Sequence, residues 1–278
     1  MRVSIALFAA ACAASVTPAL AREADEAARS RGESIASPIT DRFALRATWF
    51  PASITTDVRL DPEIGVEGTP LSAEDDLGLA DERNQGRVEL VFRLRERHRL
   101  RVDYFKLDRS AQTVLGRDVV FGDETFEVND LVTSILDWRT LGFTYTYSVL
   151  RLPRFELGAG LGIHLLEARA RGEVPARFIR EEESAGGAFP TLALDGVWRI
   201  TKRFALSLRG QYFDVSVDEF HGKVGEYHAD LQFRWRPNLA FGVGYSIIEA
   251  ELDVDDEDSP GRFSFDTRGP EAFVRVSF

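Results

Sequence analysis

Residues 225–236 read GEYHADLQFRWR, and their odd and even positions differ in kind throughout. Every odd position is apolar or small, and every even position is charged or polar. Because successive side chains of a β-strand point to opposite faces, this period of two predicts a strand with one apolar and one polar face. The same alternation recurs at residues 204–212, 88–95 and 272–278. The chain is therefore expected to be all-β.

The first residues have the pattern of an export signal. Arg2 precedes an apolar run over residues 3–16, which ends in the small-x-small pattern Pro18-Ala19-Leu20-Ala21. This pattern predicts a signal peptide over residues 1–21, cleaved after Ala21. The polar residues 22–41 are predicted to form a flexible periplasmic linker, followed by the folded domain over residues 42–278. Cys12 is the only cysteine, so the exported chain has no disulfide framework and no thiolate chemistry.

Charge and hydropathy exclude two further classes. The chain has 34 Lys and Arg against 45 Asp and Glu, a formal net charge of −11. Such a chain is a poor nucleic-acid binder, because little of it would neutralise phosphate. After the signal, no segment approaches the roughly 18 apolar residues that a transmembrane helix requires. A soluble β-sandwich and a membrane β-barrel remain.

Two observations favour the barrel. The apolar faces carry Tyr, Trp and Phe near the strand ends, as the aromatic girdles of a membrane barrel require, and the polar faces mix both charges, as a small lumen would. Short and long connections also alternate along the chain. The short ones are residues 96–98, 150–153, 200–203 and 236–238, and the long ones are 61–85, 109–129, 172–187, 217–222 and 253–261. We therefore predict a closed antiparallel transmembrane β-barrel of about ten strands, with short periplasmic turns and long extracellular loops.

Two stretches leave the strand count and phase open. Residues 119–127 could form a hairpin above the membrane, and the count would become twelve if that hairpin crossed the bilayer. Asp137, Trp138 and Arg139 interrupt the alternation of the fourth strand, which suggests a β-bulge. The ten predicted strands are 42–60, 86–95, 99–108, 130–149, 154–171, 188–199, 203–216, 223–236, 238–252 and 262–278.

The signal peptide, the alternating strands and the terminal Phe278 resemble those of bacterial outer-membrane β-barrel proteins. The resemblance implies location in the outer membrane, with membrane lipid, lipopolysaccharide and the barrel-assembly machinery as partners. An alternating last strand that ends in Phe278 resembles the signal that this machinery reads. Acidic clusters at residues 73–82, 181–183 and 251–258 fall on the long-loop side. We expect solvated loop charge there, and divalent ions that bridge these carboxylates to lipopolysaccharide are the alternative.

The predicted lumen holds charges of both signs. A ten-strand barrel is only slightly wider than the eight-strand kind that side chains fill, so we expect a charge-paired, largely filled lumen. A narrow passage for small polar solutes is the alternative. Gly158, Gly160 and Gly162 would leave room there for bulky side chains. The candidate network comprises Arg93, Arg101, Asp103, Glu156, His164, Asp195, Arg209, Glu226, His228, Asp230, Arg234 and Arg275, together with others of the same phase such as Arg87, Glu89, Arg99 and Glu271.

Catalysis has little support in the sequence. Ten-strand surface proteases use paired Asp residues with a His–Asp dyad, and no matching paired-Asp motif occurs here. No Gly-x-Ser-x-Gly occurs either. His221, flanked by Asp218 and Glu219, is the one histidine at a predicted outside loop, so a rim hydrolase built on His221 is the remaining enzymatic alternative. We predict a non-enzymatic barrel with no catalytic residues, metal or cofactor.

Overall fold

A computed structural model describes residues 37–278 except 62–67, 122–123, 218–219 and 255–260, and it leaves the side chains of residues 185, 217 and 220 undescribed. The predicted signal peptide and most of the predicted linker lie outside the described residues, as do Asp218 and Glu219. Among the described residues, no helix has the length and apolar character needed to cross a membrane.

Ten long strands form one closed antiparallel barrel. They are β1 (Phe43–Leu60), β3 (Glu82–Arg93), β4 (His98–Val114), β7 (Leu131–Arg151), β8 (Phe155–Val174), β9 (Ile179–Arg199), β10 (Phe204–Val217), β11 (Phe220–Arg236), β12 (Leu239–Val254) and β13 (Gly261–Ser277). Each strand pairs with its neighbour in this order, and β13 pairs with β1 to close the ring. The short β2 (Leu71–Ser72) adds to β1, and β5 (Val119–Phe121) pairs with β6 (Glu124–Phe126) in a separate hairpin.

The structure confirms the closed ten-strand barrel. Residues 119–121 pair with residues 124–126 as β5 and β6, which do not join the barrel, so the count is ten rather than twelve. Backbone hydrogen bonds between Phe43 and Phe278 join the first strand to the chain end, with N–O distances of 3.1 and 2.8 Å. We call this end of the barrel the terminal end and the opposite end the loop end.

Two of the predicted long loops are wrong. β8 and β9 extend to within four residues of each other around the single 3₁₀ turn Pro175–Arg177, so most of residues 172–187 is strand. β10 ends at Val217 and β11 begins at Phe220, which leaves a two-residue connection where residues 217–222 were predicted to form a loop. The cause is an apolar interior at the loop end, described below, which keeps these strand ends paired.

The predicted bulge at residues 137–139 is also wrong. β7 pairs with β4 without interruption through Asp137, Trp138 and Arg139, and its register shift against β8 lies between Ser148 and Leu150. Even-numbered residues of β7 face inward along nearly its whole length. The alternation therefore keeps its phase at Trp138, and only the polarity of the two faces changes.

This change of polarity occurs around the whole barrel. On β8 the outward side chains are apolar up to Leu165 and charged from Glu167 onward, whereas the inward ones are polar up to His164 and apolar from Leu166. The same inward step occurs at Thr48/Phe50 on β1, Asp103/Phe105 on β4 and Glu226/Val224 on β11. The interior is thus divided into a polar compartment at the terminal end and an apolar compartment at the loop end.

The two compartments match two different surroundings. Around the polar compartment the outer wall is an exposed apolar band with aromatic edges; on β11 it runs from Tyr227 to Trp235 with Leu231 midway. These nine residues match the roughly 9–11 residues with which a tilted strand crosses a bilayer. Beyond Tyr227 the wall is charged outside and apolar inside, as in a water-soluble β-protein. The barrel therefore extends past the membrane at its loop end.

Aromatic side chains fill the apolar compartment. Trp138 stacks on Phe265 with ring centroids 4.8 Å apart and on Phe263 at 5.6 Å. Trp138 lies on the fourth strand of the ring and Phe265 on the tenth, so this contact crosses the interior. The compartment is formed by Phe50, Ala52, Ile54, Phe105, Leu107, Trp138, Leu166, Ala168, Phe189, Val224, Ile248, Ala250, Leu252 and Phe265.

Candidate functional site

The polar compartment contains a network with equal numbers of positively and negatively charged side chains. Contacts of 4 Å or less join eight arginines to eight carboxylates, which leaves the network formally neutral apart from its histidines. Buried charges require such partners, because each one loses its hydration. The arginines are 46, 87, 93, 99, 101, 209, 234 and 275, and the carboxylates are Asp41, Glu89, Asp103, Glu156, Asp195, Glu226, Asp230 and Glu271.

Several of these pairs span the interior. Arg209 donates to Glu89, and the two lie on the seventh and second strands of the ring, which are diametrically opposite. Arg46 binds the same carboxylate through Nε at 3.1 Å and Asp230 through Nη1 at 2.8 Å, and it also donates to Glu271. The centre of the polar compartment is therefore occupied by guanidinium and carboxylate groups.

A histidine extends this central cluster. His228 Nε2 lies 2.6 Å from Glu226 Oε1, and Nδ1 lies 2.6 Å from Ser246 Oγ. Arg87 Nη1 lies 2.7 Å from the same Glu226 oxygen. The imidazole of His228 therefore links the charges of β3 and β11 to Ser246 on β12. The Ser246 hydroxyl in turn donates to Glu271 at 2.5 Å.

A second group of contacts closes the terminal end. Arg93 donates from Nη1 and Nη2 to the two oxygens of Glu156, at 2.8 and 2.9 Å. Asp41 accepts from Arg234 at 2.6 Å and lies 3.4 Å from Arg275. Ser37–Asp41, the last residues of the predicted linker, fold against this end of the barrel rather than away from it, and all but Thr40 are buried. A small polar cavity remains among Asp41, Arg93, Arg99, Arg101, Asp195 and Arg209.

The structure brings most of the sequence-predicted residues together. Of the twelve, all except Arg209 and Arg275 are buried, and those two are half-buried. His164 stands apart from the ion pairs and contacts Gln211 instead. Arg46 and Asp41 were not among the predicted residues. The alternation of residues 44–49 places Arg46 on the inward face, whereas Asp41 precedes the first strand and lies outside any alternating pattern.

The glycines of β8 face this compartment, as their spacing suggests. A Cβ at Gly162 would lie 2.5 Å from Thr191 Oγ1 and 2.7 Å from Gln211 Oε1, and one at Gly158 would lie 3.8 Å from Arg99 Nη2. Gly142 on β7 has the same role, since a Cβ there would lie 2.7 Å from both carboxylate oxygens of Asp103. These positions make room for the polar side chains of facing strands.

The acidic segment at residues 73–82 is fastened to the barrel. Glu74 accepts from the buried Arg109 of β4 and from the backbone N–H of Thr56, the latter at 2.9 Å. Asp76 accepts from Arg117 at 3.3 Å. The segment and the β5–β6 hairpin cover an apolar pocket of about 520 Å³ whose walls include Leu71, Leu79, Leu115, Phe121, Phe126 and Leu136.

The other acidic clusters are in part paired with arginines. Glu182 accepts from Arg180, and this hydrogen bond holds the pKa of the Glu182 carboxyl below its ordinary value. Asp253 accepts from Arg262 Nε at 3.0 Å. Residues 255–258 of the third cluster lie outside the described residues. Carboxylates that already have arginine partners are less available to a bridging cation.

The rim histidine lies on the outer wall. His221 is the second residue of β11 and is half-buried, and Ser216 Oγ lies 2.6 Å from its Nδ1. Asp253 is the ladder partner of His221 on β12. The three residues therefore form a row across the charged outer wall at the loop end.

Taken together, the closed ten-strand barrel, its exposed apolar band and its charge-paired interior give the chain the fold of a transmembrane β-barrel. Among solved structures, the outer membrane protease OmpT of Escherichia coli matches at a TM-score of 0.55 and 10% identity, over 88% of this chain and 99% of OmpT. This likeness shows the shared fold. A FadL homologue of Pseudomonas aeruginosa matches at a TM-score of 0.38 and 8% identity, over 86% of this chain and 91% of the homologue.

Ail, the attachment invasion locus protein of Yersinia pestis, matches at a TM-score of 0.34 and 10% identity, over 83% of this chain and 98% of Ail. No protein-family model and no curated protein sequence matches the chain. A shared fold by itself assigns no activity.

Proposed function

We propose that this chain is a non-enzymatic outer-membrane barrel with a blocked lumen, which acts structurally and through the surface of its loop end. The observation that carries the proposal is the ion pair between Arg209 and Glu89, on opposite strands of the ring. Nearer the loop end, the stack of Trp138 on Phe265 forms a second layer that fills the interior. A solute would have to break both layers to pass.

The loop-end surface has the chemistry for contact with lipopolysaccharide. Its outer wall carries paired charges of both signs, including Lys106, Asp108, Arg139, Glu167 and Arg169. Such a wall suits contact with the polar sugars and phosphates of lipopolysaccharide, which lie outside the apolar layer. Divalent cations can bridge these phosphates to carboxylates of the protein. We propose that the terminal end faces the periplasm and that Phe278, at the end of the last strand, is read by the barrel-assembly machinery.

Recording from planar bilayers tests the blocked lumen. Refolded protein is expected to give no stable conductance steps, because the two filled layers leave no continuous aqueous path. The Glu89→Ala variant serves as a comparison, since it removes the ion pair with Arg209 and leaves the aromatic layer intact. Reproducible steps from the unaltered protein would favour the second candidate, a narrow channel for small polar solutes, which the polar cavity at the terminal end supports.

A third candidate, a surface hydrolase, is supported only by the hydrogen bond between Ser216 and His221. A general base beside a hydroxyl can activate it, but an acyl hydrolase also needs donors for the oxyanion and a concave site for the substrate. The row of Ser216, His221 and Asp253 lies on the convex outer wall. We expect no esterase or peptidase activity that is lost on His221→Ala; such a loss would contradict the non-enzymatic proposal.

A further inference from the structure

Three buried side chains converge at the boundary between the two compartments. Asp103, His164 and Glu226 each offer a ligand atom, and these atoms all lie within 4.8 Å of one another. Their strands, β4, β8 and β11, are the third, fifth and eighth of the ring, so the three approach each other across the lumen. The three side chains form the last polar layer before Phe105, Leu166 and Val224. We propose that this cluster binds a divalent transition-metal ion, with Zn²⁺ the best match.

Asp103 is the first observation that points to a cation. Its residue is 4% exposed. Its ion pair with Arg101 joins Oδ1 to Nε at the long distance of 3.9 Å, and Arg101 uses Nη1 for Asp195 at 3.2 Å. A buried carboxylate loses its hydration, and an ion pair of this length compensates for that loss only in part. A metal ion bound to Asp103 would supply a closer positive charge.

His164 is held in the manner of a metal ligand. Its Nε2 lies 3.0 Å from Gln211 Oε1, and the hydroxyls of Thr144 and Thr191 donate to the same oxygen at 3.0 and 3.1 Å. Because an amide oxygen only accepts, Nε2 carries a proton, and in the neutral imidazole the lone pair that a metal ion would take is then on Nδ1. Metal-binding histidines almost always donate their other N–H in this way, which fixes the tautomer and the ring orientation.

Glu226 contributes the third ligand. Its contacts with Arg87 and His228 both fall on Oε1, so Oε2 remains for a metal ion. Two carboxylates and one imidazole supply oxygen and nitrogen donor atoms. Zn²⁺ binds such nitrogen and oxygen donors at about 2.0–2.2 Å, commonly in a tetrahedron whose fourth position is open to water. Closure from 4.8 Å to the ligand spacing of a tetrahedral site, about 3.4 Å, needs only small side-chain rotations.

The proposal goes beyond the blocked lumen and does not depend on it. No local sequence motif announces this site, because its ligands are 61 and 62 residues apart and only the closed barrel brings them together. An ion here would tie three strands of the barrel at the level where its interior changes from polar to apolar.

Titration with Co²⁺, a spectroscopic substitute for Zn²⁺, tests the proposal. Refolded, chelator-treated full-length protein should bind one Co²⁺ with visible d–d absorption, and Zn²⁺ should displace it. Asp103→Asn and His164→Gln should each weaken binding at least tenfold, whereas the control Asp195→Asn, another buried lumen carboxylate, should retain it. Equal binding by all four proteins would assign the ion to the acidic loops and overturn the proposal. Absence of Co²⁺ binding by the folded unaltered protein at millimolar metal would also overturn it.

A variant outside the ligand set guards against misfolding. Gln211→Leu keeps all three ligands and removes only the acceptor that orients His164. Loss of such an outer partner typically weakens a metal site by about 10–100-fold, and we expect a loss of that size here. Its folding is checked by the shift in gel mobility on heating. Unchanged Co²⁺ affinity in folded Gln211→Leu would contradict the proposed geometry.

Discussion

Glu89→Ala is expected to lower the free energy of unfolding by about 3–5 kcal/mol, because it leaves a buried positive charge without a partner. Glu89 accepts a hydrogen bond from Arg209 and, among the described residues, is the carboxylate within 4 Å of it. Glu89 also forms an ion pair with Arg46 Nε at 3.1 Å, but Arg46 has Asp230 and Glu271 as further partners. The decrease in the free energy of unfolding therefore comes mainly from the unpaired charge of Arg209. Urea unfolding of protein refolded into lipid vesicles, followed by tryptophan fluorescence, measures it.

Two controls separate burial from charge. Glu251→Gln breaks the ion pair with Lys223 on the outer wall, where both side chains are partly exposed, and should cost less than about 1 kcal/mol. The double variant Glu89→Met/Arg209→Leu removes both charges and should recover much of the loss. If Glu89→Ala costs no more than Glu251→Gln, the polar compartment is filled with water rather than with paired charges.

Trp138→Ala is expected to cost about 3–5 kcal/mol, the usual range for removing a large aromatic side chain from a packed core. Trp138 is 2% exposed and stacks on Phe263 and Phe265. Its removal leaves a cavity that the surrounding strands of a closed barrel can fill only in part. The same urea titration measures the loss.

Trp49→Ala is the matched control. Trp49 is 55% exposed on the outer wall, where lipid or water occupies the space that a smaller side chain leaves. We expect a clearly smaller loss than for Trp138→Ala. Equal losses at the two positions would mean that the loop-end interior is not a packed apolar core.

The period of two was enough to predict the barrel, because strand phase depends only on alternation. It placed Glu226, His228 and Asp230 inside and Tyr227 and Leu231 outside, as the structure has them. It also gave ten strands, since short turns at one end are recognisable in the sequence. What alternation cannot supply is the height of each residue relative to the membrane.

Because alternation does not give the height of a residue relative to the membrane, the predicted bulge and two of the predicted loops are wrong. Trp138 was interpreted as a break in phase because its neighbours Asp137 and Arg139 are charged, yet outward charge is favourable where the wall has left the lipid. The strand ends of β8–β11 were assigned to loops for the same reason. Likewise, the grouping of Asp103, His164 and Glu226 depends on the stagger of strands around a closed ring, which no single strand encodes.

The reversal of polarity along the barrel wall is tested most directly by spin-label accessibility along β8. Because Cys12 is the only cysteine, a Cys12→Ala background allows single labels at residues 161, 163, 165, 167 and 169, all of which face outward. In lipid vesicles, labels at Leu161, Ile163 and Leu165 should collide mainly with oxygen, and labels at Glu167 and Arg169 mainly with a water-soluble nickel chelate. A change from lipid to water between residues 165 and 167 is the predicted result. Water accessibility at all five positions, or lipid accessibility at all five, would contradict the account.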